Sequence, residues 1–124
     1  MYPSESDVNT FFDDLSSDFD LHINQLDNAN EYVLSKDNKD IIFKWSPTAP
    51  EEFWFVFSSE NKYLYEDWTE MFETEEKEAL FSYLKLISMR YFEHATRLHK
   101  PWLIFKARVQ YKIQGKWKDI LSPI

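Results

Sequence analysis

Three carboxylates, Glu66, Glu70 and Glu73, fall at spacings of four and three within YLYEDWTEMFETEE, Tyr63 to Glu76. On a helix they would share one face, and oxygen ligands gathered on one face are what a hard cation takes. A calcium loop also needs a tight glycine turn and alternating ligands; both are missing, so no metal is expected. The acids have a simpler use at a helix start, where negative charge is favourable and Asp67 with Glu70 has capping-box spacing. That duty accounts for Asp67, Glu70, Glu75 and Glu76, and leaves Tyr63, Tyr65, Glu66, Trp68 and Glu73 without one. Six acids and four aromatics in fourteen residues, with no base among them, is the composition of an interface anchor with a charged rim. Tyr63, Tyr65, Glu66, Trp68, Glu70 and Glu73 are therefore the first candidates for contact with a positively charged partner. Trp68 has a competing role as a core residue.

Other reactive side chains assemble into nothing comparable. His94 and His99 are five apart, which on a helix turns them about 140° away from each other. Glu93 sits four residues before Arg97 and reads as a helix ion pair rather than an acid–base partner for His94. No nucleophile, base and orienting group come together, so no enzyme activity and no cofactor are expected. Gly115 is the single glycine, too few for a Walker loop, a dinucleotide fingerprint or a nucleophile elbow. The absence of cysteine removes disulfides, thiol catalysis and thiolate metal sites. Lys106, Arg108 and Lys112 form a basic strand face near Trp102, the ingredients of nucleic-acid binding. The acidity of the whole chain opposes it, and no nucleic-acid partner is expected.

The elements that must carry these residues follow from periodicity. From Ser4 to about Asp20, Val8, Phe11, Phe12, Leu15 and Phe19 recur at helical spacing, with Ser4 and Asp7 placed as a cap. The opposite face carries Asp13, Asp14 and Asp18, the second-choice contact surface. EYVLS, KDNKD and DIIFKW read as strand, turn and strand. FWFVF, apolar at every position, belongs in a central strand covered on both faces. SSENK turns the chain into a short strand near Tyr63 to Tyr65. Thr69 or Thr74 then caps a long helix reaching about Leu98, striped by Leu80, Leu84, Ile87, Tyr91 and Leu98 and broadened by Phe81, Tyr83, Phe92 and Ala95. Arg97, His99 and Lys100 would sit at its carboxy-terminal end, where the helix dipole favours cations, and Pro101 would stop it. From Leu103 to Ile113 apolar and polar residues alternate, and Gln114-Gly115 turns the chain into KWKDIL. The expected fold is α+β: one domain over residues 1–124, an antiparallel sheet of about six strands with an N-terminal helix and one long helix packed on one face.

A hydrophobic fraction of 44% and an aromatic fraction of 19% are those of a packed globule, despite a net charge of −8. MYPSESDVNTFFDD lacks the basic start and apolar run of a signal peptide, and Phe53 to Phe57 is too short to cross a bilayer. A cytoplasmic protein without a membrane partner is expected. Charge is uneven: residues 1–78 hold 20 acids and 5 bases, or −15, and residues 79–124 hold 2 acids and 9 bases, or +7. Such asymmetry means either separate surfaces or halves that neutralise each other.

A small, cysteine-free, acidic, aromatic-rich α+β chain with no catalytic set resembles the immunity proteins that bacteria keep in the cytosol against delivered toxins. The resemblance implies a protein-binding inhibitor that occludes the active or substrate-binding surface of a basic, nuclease-like toxin domain. The acidic balance and the helix-then-strands opening of residues 4–58 also resemble type III secretion chaperones, the alternative. A nucleic-acid binder or enzyme using the basic carboxy-terminal hairpin is the third reading. Monomer and homodimer remain equal alternatives.

Overall fold

The computed structural model describes residues 2–50, 52–59, 63–70, 77–99 and 107–122, with 63–70 described as backbone. Helix α1 (Glu5–Leu15) begins at Ser4, whose hydroxyl accepts the Asp7 amide while the Asp7 carboxylate accepts the Ser4 amide. This is the reciprocal cap that satisfies two orphan donors at a helix start. Val8, Phe12 and Leu15 are buried. The helix stops short of the expected Asp20. Ser16 and Ser17 turn their hydroxyls back to the carbonyls of Asp13 and Asp14, and such local bonds compete with helix continuation. Phe19 still reaches the core, tilted against Phe92 with ring centroids 4.7 Å apart.

Five strands follow, β1 (Asp20–Gln25), β2 (Asn30–Lys36), β3 (Lys39–Trp45), β4 (Glu52–Ser59) and β5 (Tyr63–Glu70), in an antiparallel sheet whose spatial order is the chain order. The β2–β3 hairpin turns through Asp37 and Asn38, both at positive φ (52° and 66°), the conformation that matches the twist of paired strands. Along β2 to β4 one face is buried: Tyr32, Leu34, Ile41, Phe43, Trp45, Phe53, Phe55 and Phe57. Helix α2 (Lys77–Glu93) buries Leu80, Leu84, Ile87, Tyr91 and Phe92. Both helices pack on that same sheet face. Phe12 stacks on Tyr32 at 4.3 Å, and Tyr91 meets Phe57 at 4.9 Å while its hydroxyl donates to the Ser58 carbonyl at 2.6 Å.

Strands β6 (Thr96–His99), β7 (Arg108–Ile113) and β8 (Lys116–Asp119) form a second antiparallel sheet. The β7–β8 turn is Gln114-Gly115, at positive φ of 52° and 77°. Val109, Tyr111 and Ile120 join the common core. On α2, Arg90 lies 5.1 Å over the Tyr111 ring and donates to the carbonyls of Ile120 and Ser122. The α+β class holds; among the described residues two antiparallel sheets, of five and three strands, stand in place of one of about six.

The expectations for both ends of the long helix are corrected. Of the residues assigned to the start of the long helix, Asp67, Thr69 and Glu70 lie in β5, paired with β4 in unbroken register from Glu52↔Glu70 to Ser59↔Tyr63, and Glu75 and Glu76 lie outside the described residues. Neither Thr69 as a cap nor Asp67 with Glu70 as a capping box applies; Thr74 lies outside the described residues. The helix ends at Glu93 rather than Leu98, so Arg97 and His99 stand on β6 and not at a helix terminus. Lys39 ends it, donating to the Tyr91 and His94 carbonyls at 2.8 Å each. Of the carboxy-terminal alternation, residues 108–113 form strand as expected, and residues 103–106 lie outside the described residues.

Candidate partner-binding surface

Strand alternation sends every second residue of the five-stranded sheet away from the helices. On that open side stand Val33 of β2, Ile42 and Lys44 of β3, and Trp54 and Val56 of β4. Trp54 is 41% exposed, and Val33, Ile42 and Val56 are half-buried. FWFVF is thus covered on one face and not on both, and the central strand is β3. Glu31, Ile42, Lys44, Trp54 and Val56 line a groove of about 270 Å³. That is small and open beside small-molecule pockets, and suits a protruding side chain better than an enclosed ligand. The Lys44 ammonium sits 3.6 Å from the Glu31 carboxylate at the groove wall, a half-exposed pair that contributes little to stability.

The register of β5 divides the expected contact residues into two sets. Glu66, Trp68 and Glu70 pair with Val56, Trp54 and Glu52, register positions of the open side. Tyr63 and Tyr65 pair with Ser59 and Phe57, both buried. Glu73 lies outside the described residues. Helical spacing had suggested one face for Glu66 and Glu70; a strand rise puts four residues about 13 Å apart, too far for one ion. Among the described residues no group of three or more His, Asp or Glu gathers with metal-holding geometry. Asp13 and Asp14 are exposed on α1, and Asp18 is exposed in the turn after it.

The histidines are dispersed: His22 is exposed on β1, His99 is on β6, and the His94 ring lies 5.5 Å from that of Tyr111. With α2 ended, Glu93 and Arg97 no longer have helical spacing. Arg97 instead stacks 4.3 Å over Trp117 and donates to the Gln110 side chain at 2.9 Å. On the basic hairpin, Arg108 pairs with Asp119 at 3.0 Å and Lys112 lies 5.7 Å from the Trp117 ring. Lys106 and Trp102 lie outside the described residues.

Sequence reasoning missed Trp54, Ile42 and Val56 as surface residues, because a run apolar at every position reads as covered on both sides. The signal was that both expected helices were assigned to one face of the sheet, which left neither to cover the other. No protein-family model, no curated protein and no solved structure matches this chain.

Proposed function

We propose that the chain is a protein-binding inhibitor of the immunity type, which occludes the working surface of a basic toxin domain and carries out no catalysis itself. One observation carries this reading: the open side of the five-stranded sheet has an exposed tryptophan and half-buried aliphatics, bordered by Glu31 and Glu52 and by the register positions of Glu66 and Glu70. Partly exposed apolar surface bordered mainly by carboxylates, with Lys44 already paired to Glu31, supports a partner-site reading. The acids supply fast encounter and orientation with a basic partner, and the aromatic supplies holding strength.

The test uses a candidate basic toxin domain, sought among the genes that neighbour this chain's own. The wild-type chain is expected to bind it and abolish its activity in stoichiometric amount. Trp54→Ala, at a half-exposed position, should keep the melting temperature and weaken the complex by about 2 kcal/mol, chiefly through faster dissociation. A chain that binds without inhibiting contradicts the inhibitor role. Unchanged affinity for Trp54→Ala removes the open side from the interface.

A further inference from the structure

Each outer strand of the five-stranded sheet, β1 and β5, pairs on one side only among the described residues. Natural edges are blunted by charge, proline or bulges, because unpaired backbone groups recruit other strands. The two edges here differ. β5 carries Glu66, Asp67 and Glu70 within eight residues. β1, with sequence DLHINQ, has one acid at its first position and neither lysine nor proline. Its register with β2 runs unbroken from Asp20↔Ser35 to Gln25↔Asn30, so no bulge twists it away.

The direction of its backbone groups can be read from the hairpin. The Leu26 amide donates to the Ala29 carbonyl at 2.8 Å, which makes that pair hydrogen-bonded. Hydrogen-bonded pairs alternate along an antiparallel ladder, so Asp20, His22 and Asn24 bond to β2 and the amides and carbonyls of Leu21, Ile23 and Gln25 point away from the sheet. Beside them, Ile23 is 41% and Leu26 47% exposed. The surroundings are acidic. Asp18, Asp20 and Asp37 rim one polar depression at the start of β1, Asp27 is exposed at its far end, and Asp13 and Asp14 are exposed on α1. Lys36 shares that depression, its ammonium 5.7 Å from the Phe19 ring.

We infer that β1 accepts an added strand: an extended, basic segment of a partner protein pairs with the outward groups of Leu21, Ile23 and Gln25. Main-chain bonds of this kind give affinity, and flanking charge selects the segment. An antiparallel second copy centred on Ile23 would set Asp18 and Asp20 of each chain near Asp27 of the other, which opposes self-pairing. The proposal uses the sheet's edge and not the Trp54 groove, so it stands or falls apart from the open-side reading.

The probes are labelled peptides of alternating valine and lysine and of alternating valine and glutamate, followed by fluorescence anisotropy with amide exchange measured by NMR. The lysine peptide should bind, slow exchange at Leu21, Ile23 and Gln25, and exceed the glutamate peptide by about tenfold or more. N-methylation of alternate peptide amides should weaken it by about tenfold or more, since that removes ladder donors from the peptide and leaves the protein unchanged. Ile23→Pro deletes an outward donor, and Ile23→Lys keeps the backbone while charging the edge; each should weaken binding similarly. Equal binding of both peptides, indifference to N-methylation, or protection centred on β4 and β5 would overturn the proposal. So would no binding, or a dimer in sedimentation with these three amides already protected.

Discussion

The Asp7 carboxylate serves two helix starts at once. It accepts the Ser4 amide at 2.9 Å and lies 3.2 Å from the ammonium of Lys77, the first residue of α2. The backbone amide bond from Ser4, followed by the side-chain ammonium bond from Lys77, holds its pKa below the ordinary value of 3.8. A lowered folded-state pKa means the stabilisation is fully present above the unfolded value and is lost as pH falls through the folded one. Asp7→Asn should therefore lower the melting temperature near neutral pH and remove part of the acid dependence below about pH 4, so that the two melting curves converge in acid. Parallel curves would contradict the assignment. Tyr32 occupies a different kind of position: burial raises its pKa, its hydroxyl donates to Asn9, and it accepts from the buried Asn30, which also reaches Glu5. Tyr32→Phe keeps the ring against Phe12 and leaves Asn9 and Asn30 each short of a partner. The expected cost in denaturant unfolding is about 1–3 kcal/mol.

Helix α2 owes its end to a residue far away in sequence. Lys39, at the start of β3, satisfies the Tyr91 and His94 carbonyls and stands 5.3 Å over the Tyr91 ring. Lys39→Met keeps the stem and removes both bonds. It should cost about 1–2 kcal/mol and speed amide exchange in the last turn of α2 more than in its first. Uniform exchange along the helix would show that the cap is not local. The same contact explains why the stripe Leu80, Leu84, Ile87 and Tyr91 was legible in the sequence and the helix end was not. Periodicity is a property of neighbouring residues, whereas the terminus was set from β3 and by the pairing of Thr96–His99 with β7. β5 misled for a related reason. Its acids have helix-start spacing, yet pairing with FWFVF of the preceding strand decides the backbone. The reciprocal cap at Ser4 and the turns at Asp37-Asn38 and Gln114-Gly115 were readable, because each is complete within four residues.

The charge asymmetry of the chain follows its architecture. The acidic part supplies α1 and the five-stranded sheet, and the basic part supplies most of α2 and the second sheet. Several cations of the basic part are engaged internally: Arg90 with the Ile120 and Ser122 carbonyls, Arg97 with Trp117 and Gln110, Arg108 with Asp119. The acids at exposed positions on α1 are differently placed: Asp13 and Asp14 face water. An electrostatic field of that form attracts a basic protein and offers little to a polyanion, so a generic oligonucleotide should not bind at physiological salt. A tight complex that weakens linearly with the logarithm of salt would contradict this. For the proposed basic partner, the rate of association should fall as salt rises from about 0.1 M to about 1 M and the screening length shrinks from about 10 Å to about 3 Å. Glu66→Lys with Glu70→Lys should slow association at low salt and flatten that dependence, while Asp13→Lys with Asp14→Lys does so less. Stopped-flow rates for the two pairs decide between the surfaces, because steering depends on where the charge sits relative to the docking site. The reverse ranking, at unchanged melting temperature, moves the first encounter from the open side of the sheet to α1 and the neighbouring edge of β1.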